Sequence, residues 1–186
     1  MSEFTGIVLA GGFSSRMGRD KSMIEFNGNL LYERAANMLS PFVNQVCISI
    51  NQTQKETYEY LFPTIVDKYR GQGPIGGILS CLEFTSLPLI ILGCDLPLIS
   101  EKDIEHLIQI RNQDQACSLF FNDQSLFFEP LLSIWELHSF SKLKSYYANG
   151  GRSLQKFINE SQIERISMPD PNHFYNLNTL DDLRGL

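Results

Sequence analysis

A chain of 186 residues, 43% hydrophobic and 19% charged, has the material for one sizeable core and is short for two domains. Its formal net charge of −6, with no long basic run, argues against broad binding to nucleic acid or to an anionic membrane. An anionic ligand therefore has to be met by locally placed cations.

In chain order, the first predicted element is the run Ile7-Val8-Leu9-Ala10, which contains no polar residue. That suits a strand in a parallel sheet covered on both faces rather than a half-exposed, alternating one. It leads directly into Gly11 and Gly12, and the turn emerges at the carboxyl edge of the sheet, where open α/β folds place ligands. Glycines there let a ligand approach the backbone N–H groups, which form an anion cradle. Arg16 can chelate phosphate oxygens with two donors, and Lys21 can serve as a point charge on a neighbouring phosphate. The spacing fits neither G-x-G-x-x-G nor the P-loop pattern. The alternative is an ordinary connection with solvated cations.

The stretch LAGGFSSRMGRDK, residues 9–21, resembles the opening motif LAGG-x-x-x-RMG-x-DK of the molybdenum cofactor guanylyltransferases, nucleotidyltransferases that attach a guanosine phosphate to that cofactor. The resemblance implies that Leu9, Ala10, Gly11, Gly12 and Lys21 line a GTP site. Cytidylyl relatives resemble LAAG at this point, and Gly11 leaves room for backbone contact with a purine, which favours the guanylyl reading.

Residues 22–27 read as extended into a turn at Asn27-Gly28, and residues 30–39 as a helix ending before Pro41. Residues 45–50 form a second strand and 53–61 a short helix. Ser49 and Asn51 end that strand at the ligand edge, where they either contact a base or ribose or cap the next helix. The family tends to carry Asn here, and Ser49 stands where one is expected. Residues 64–66 read as a third strand, followed by Asp67, the loop Gly71-Gln72-Gly73-Pro74, and a helix over 75–84 that Pro74 begins. The stretch from Asp67 to Ile78 resembles the family's D-x-x-x-G-x-GPLAGI, which implies a role for Asp67 and for the loop with Gly73 in recognising guanine. A carboxylate is apt, because guanine presents N1–H and an exocyclic amine as paired donors. The alternative is that Asp67 caps a turn.

Residues 87–98 are the most apolar strand, delivering Asp95 at the ligand edge, where Mg²⁺ on a triphosphate would neutralise it. CDLP resembles the family's CD-x-P, whose acid holds the metal. Ser100 is the expected N-cap of a helix over 101–111. Strands follow over 116–121 and 126–132, joined by a turn at 122–125; Glu129-Pro130-Leu131 has a family counterpart but carries no chemistry on this reading. Residues 135–147 read as a helix stopped by Asn149-Gly150-Gly151, with another over 153–159. Between them, Arg152 either reaches an anionic pterin phosphate or is solvated. The closing FYNLNTLDDL resembles N-x-NTPEDL, with Leu180 where Pro is usual; this places Asn176 and Asn178, by resemblance, near the metal and phosphates, and Thr179 as an N-cap with Asp182 at the third helical position.

Cys47, Cys81, Cys94 and Cys117 show no C-x-x-C pairing and read as small buried hydrophobes of a reducing compartment. The start MSEFTG lacks the pattern of a secretory signal, and residues 87–99 are too short and too interrupted to span a bilayer, so a cytoplasmic protein is expected. His106, His138 and His173 read as isolated, and the first two, in helical patterns, as surface or packing residues rather than catalysts.

The expectation is a single-domain, Rossmann-like nucleotidyltransferase fold over residues 1–186, with a mostly parallel sheet flanked by helices on both faces. The resemblance implies a Mg²⁺-dependent enzyme that moves GMP from GTP to the terminal phosphate of molybdopterin or its molybdenum form, with Arg16, Lys21 and Asp95 as catalytic residues. Cofactor-biosynthesis or molybdoenzyme-chaperone proteins are candidate partners. The alternatives are cytidylyl transfer to the same cofactor, a sugar-phosphate nucleotidyltransferase, and a non-catalytic nucleotide-binding protein.

Overall fold

The computed structural model describes residues 2–11, 20–69, 71, 73–179 and 182. Strand β1 (Thr5–Leu9) lies inside the sheet, paired in parallel with β4 (Gln45–Ile50) on one side and β6 (Leu89–Gly93) on the other, so that Ile7 stands between Cys47 and Ile91. Its uninterrupted apolar run follows from that position: Ile7 and Val8 point to opposite faces and both are fully buried. With β5 (Thr64–Val66), β7 (Cys117–Asn122), β8 (Phe127–Trp135) and β9 (Ile166–Ser167), the sheet has the order β5-β4-β1-β6-β8-β7-β9. Among the described residues β8 runs against its neighbours and the other pairs are parallel.

The alternation of strand residues divides the core in two. Val8, Ile48, Ile50, Ile90 and Leu92 pack with α1 (Leu31–Leu39) and α4 (Glu101–Gln109). On the other face Ile7, Cys47 and Ile91 pack with α3 (Pro74–Phe84), α5 (Ser139–Ala148) and α6 (Leu154–Glu160). This is the expected sheet with helices on both faces. All four cysteines are free and buried, and among the described residues no helix is long and apolar enough to cross a membrane.

Several expected elements differ in extent. Residues 22–27 are not one extended stretch: a 3-10 turn, Lys21–Met23, precedes a small hairpin of β2 (Glu25–Phe26) and β3 (Asn29–Leu30). The helix expected over 53–61 is α2 (Gln52–Thr57); the chain then leaves extended, so that Tyr60 packs edge-on against Tyr32 at 4.8 Å, while Leu61 is 80% exposed and never offered a buried face. The strand expected over 87–98 stops at Gly93, because Leu96 N–H turns back onto the Gly93 carbonyl at 3.2 Å. Trp135 does not begin a helix. It closes β8 between Leu89 and Cys117, and its indole N–H donates to Ser133 Oγ at 2.9 Å; partners from distant chain outweigh local helical spacing. The expected final helix lies largely outside the described residues.

Candidate active site

Where β1 ends, Ala10 N–H and Gly11 N–H both donate to the Ser49 carbonyl, at 3.0 and 2.9 Å, which brings the glycine turn over the carboxyl end of β4. Gly12 and Arg16 lie outside the described residues. The chain is described again at Asp20, whose Oδ1 accepts from Ser22 N–H at 2.9 Å and Ser22 Oγ at 2.6 Å. That caps the 3-10 turn and directs its first residue, Lys21, across the sheet edge. Lys21 Nζ lies 3.4 Å from Asp95 Oδ2 and donates to Asn178 Oδ1 at the same distance.

Asp95 occupies the turn that follows β6. A Cβ on Gly93 would lie 2.5 Å from Asp95 Oδ1, so the carboxylate folds over a backbone that only glycine leaves open. The Asp95 carbonyl accepts from Leu177 N–H at 2.9 Å, which ties the carboxyl-terminal segment to this turn. Asn178 is held next to it: Asp182 Oδ2 accepts from the N–H groups of Asn178 and Thr179, each at 2.7 Å, and these bonds hold the Asp182 carboxyl below its usual range. Thr179 Oγ1 accepts from Asp182 N–H at 3.3 Å, the reciprocal half of the cap expected from sequence. Lys21, Asp95 and Asn178 thus converge from three separate segments. The Lys21 and Asp95 side chains are 18% and 21% exposed, sheltered yet open to a ligand.

Glu129 is the neighbour that sequence reasoning passed over. Leu92 stands opposite Leu132, and β8 runs antiparallel to β6, so the start of β8 carries Glu129 past the end of β6 towards Asp95. Burial, reinforced by the charge on Asp95, pushes the half-buried Glu129 carboxyl up to about 7. The sequence showed a family counterpart for Glu129-Pro130-Leu131 but no chemistry for it; the register of β8 against β6 is what brings Glu129 to the site.

Asp67 Oδ1 accepts from Tyr69 N–H at 2.7 Å and from Ser80 Oγ at 3.1 Å, which is the turn-capping arrangement. A Cβ on Gly76 would sit 2.6 Å from the Tyr69 carbonyl and 2.9 Å from Asp67 Oδ2, so the Asp67 turn rests directly on α3. Gly73, with φ +63°, supplies the left-handed backbone before Pro74 starts that helix. Ser49 is not presented to the ligand edge. It is 2% exposed and faces α3, where a Cβ on Gly77 would lie 3.1 Å from its Oγ; on the same helix, burial pushes the Cys81 thiol up to about 12. Asn51 caps α2, its Oδ1 accepting from Gln54 N–H at 2.9 Å.

Arg152 is exposed but engaged: its guanidinium lies 4.1 Å over the Tyr147 ring and donates to the carbonyls of Tyr147 and Gly151, each at 2.8 Å. Tyr147 packs edge-on against Tyr69 at 5.1 Å, so Arg152 stands on the side of the Asp67 turn. The half-buried Asn176 accepts at its carbonyl from Asn178 Nδ2 at 3.3 Å. His173 is not isolated: its Nδ1 is 2.8 Å from Asp103 Oδ2, the carboxylate that also accepts from Ser100 at the start of α4.

Residues 6–166 match the model of the MobA-like NTP transferase domain. The chain is 30% identical over 184 residues to a molybdenum cofactor guanylyltransferase of Haemophilus influenzae, covering 97% of this chain and 95% of that one. A probable molybdenum cofactor guanylyltransferase of Nostoc is 30% identical over 188 residues, with 98% and 90% covered. Among solved structures, molybdopterin-guanine dinucleotide biosynthesis protein A from Archaeoglobus fulgidus superposes with a TM-score of 0.78 over 97% of this chain and 95% of its own, at 24% identity.

Proposed function

Because this chain belongs to the MobA-like NTP transferase family, we propose that it transfers GMP from GTP to the terminal phosphate of molybdopterin or its molybdenum form. A phosphate oxygen of the acceptor attacks the α-phosphorus of GTP, the bond to the α–β bridging oxygen breaks, and pyrophosphate leaves with that electron pair. The acceptor is a phosphate monoester and already largely ionised at neutral pH, so no protein base is needed. Positioning and charge neutralisation carry the reaction. The observation that carries this reading is the convergence of Lys21, Asp95 and Asn178 where the glycine turn leaves β1.

Lys21 and Arg16 hold the triphosphate and the leaving pyrophosphate; Leu9, Ala10 and Gly11 line the site, but because Gly11 N–H is bonded to the Ser49 carbonyl, the N–H that cradles oxygens is that of Gly12. The 67–73 turn, with Asp67 and Gly73, receives the guanine. The donors at Asp95 fit Mg²⁺. The Asp95 carboxylate and the amide oxygen of Asn178 both face Lys21 Nζ at 3.4 Å, and the Glu129 carboxyl, raised first by burial and further by the charge on Asp95, adds negative charge to offset. Mg²⁺ binds through one or two carboxylates, phosphate oxygens and water, and when bound it neutralises charge on the phosphates. Residues 1–186 act in this as one nucleotidyltransferase domain, working on a cytoplasmic cofactor precursor and passing the product to cofactor-biosynthesis or chaperone proteins.

The test is pyrophosphate release by the purified protein with molybdopterin, Mg²⁺ and GTP, with CTP and ATP in parallel. Release with GTP that requires the acceptor and is lost in EDTA is expected. GTP binding without release, or a preference for CTP, overturns the reading.

A further inference from the structure

Gln54, on α2, has no place in the reaction scheme, yet it is a polar side chain only 2% exposed and its amide is fully bonded. Oε1 accepts from Asn51 N–H at 2.8 Å, and Nε2 donates to the Ala10 carbonyl at 2.9 Å and to Asp20 Oδ2 at 2.7 Å. The opposite orientation of the amide would face two oxygens with a third, so the hydrogen bonds assign it. Capping of α2 accounts for Oε1 but not for Nε2, which reaches partners 44 and 34 positions away. Those partners flank the glycine-rich turn: Ala10 is the last residue before Gly11, and Asp20 the residue before Lys21.

Both ends are held elsewhere as well. Ala10 N–H is fastened to the Ser49 carbonyl, and Asp20 spends its other oxygen on the cap that directs Lys21. A single NH₂ group bonded to both ends therefore fixes their separation and, through Asp20, the aim of Lys21. We infer that Gln54 is a positioning residue for the GTP site, a strut across the base of the glycine-rich turn. This rests on the guanylyl reading above.

Gln54→Glu keeps the shape and the acceptor that caps α2, but turns the donor edge into a second acceptor facing the Ala10 carbonyl and the Asp20 carboxylate. Affinity for a fluorescent GTP analogue is expected to fall by about tenfold or more, as the loss of a buried bond to a charged group allows. The KM for GTP should rise with it, while the KM for molybdopterin stays put. Adding Asp20→Asn places an amide opposite the new carboxylate and restores the Asp20 half of the bridge with reversed polarity; the Ala10 carbonyl still faces an acceptor, so part of the lost GTP affinity should return. If Gln54→Glu does not fold, Gln54→Met, which matches the length and removes the donor without adding charge, carries the same two expectations. A folded variant of either kind that binds GTP like the parent overturns the inference. A parent that binds GTP but releases no pyrophosphate overturns the proposed reaction instead, and the binding comparison still decides Gln54; a parent that does not bind GTP ends both.

Discussion

Asp95 is the side chain on which the metal reading turns, and it sits over Gly93 with Lys21 Nζ 3.4 Å away. Asp95→Asn keeps size and shape and removes the charge that a hard cation prefers, so turnover should fall by about a hundredfold or more at limiting Mg²⁺ while thermal stability changes little. Pyrophosphate release and thermal unfolding measured on one sample across a Mg²⁺ titration check this; near-normal turnover at limiting Mg²⁺ moves the metal to another acid. Glu129 permits a pH test that involves no substrate. Its carboxyl titrates at about 7 when folded against an ordinary 4.5, so the folded state binds that proton more tightly than the unfolded one. The folded protein is therefore penalised as pH rises above 4.5, fully so beyond about 7, and not at all well below 4.5. Glu129→Gln removes the penalty: in EDTA its stability gain over the parent should grow from near zero at acid pH to ~1–2 kcal/mol at pH 8, a figure discounted for partial exposure. A gain independent of pH would remove burial and Asp95 as the cause.

At the scale of an element, α3 shows packing and propensity pulling in opposite directions. Exchanging Gly76 for alanine inside a helix ordinarily gains about 1 kcal/mol. Here the new methyl would lie 2.6 Å from the Tyr69 carbonyl, a backbone atom that cannot swing away, and 2.9 Å from Asp67 Oδ2. Overpacking of that kind costs about 1–3 kcal/mol and wins. Gly76→Ala is thus expected to lower stability in urea unfolding and to weaken GTP binding by displacing the 67–69 turn; a more stable variant would mean that α3 does not approach that turn so closely. Residues 135–147 show the same contest in the reading of sequence. Their apolar spacing suits a helix, but Trp135 is held by strand partners on both sides and α5 begins only at Ser139.

Across the whole molecule, binding and stability are separated along the strands. The candidate site lies at the carboxyl end of β1, while Arg111, Glu136 and Glu3 join at the amino end. Arg111 Nε and Nη2 meet Glu136 at 2.6 and 3.0 Å, Nη1 lies 3.0 Å from Glu3 Oε2, and the guanidinium covers the Phe4 ring at 4.5 Å. With Arg111 and Glu136 side chains only 8% and 7% exposed, Glu136→Ala leaves a buried cation without its principal partner. A loss of about 3 kcal/mol or more is expected in chemical unfolding, with turnover per folded molecule unchanged. Reduced turnover at full folding would show that the two edges are coupled.

The sequence by itself determined the β-α order, the buried parallel strand that runs into a glycine turn, and the residue types offered at its end, because apolar period, glycine and capping residues act over a few positions and leave a local trace. Lys21 and Asp95 were legible in that way, whereas Asn178 followed only from the resemblance of the closing motif. That they meet at one sheet edge was decided only when β1, β6 and the carboxyl-terminal segment were brought together. The same holds for Glu129 beside Asp95, which depends on the register of β6 against β8, and for Gln54, whose amide spans partners distant in the chain. Hydrogen bonds and charge act through space, and until the fold has closed those distances no spacing along the chain records them.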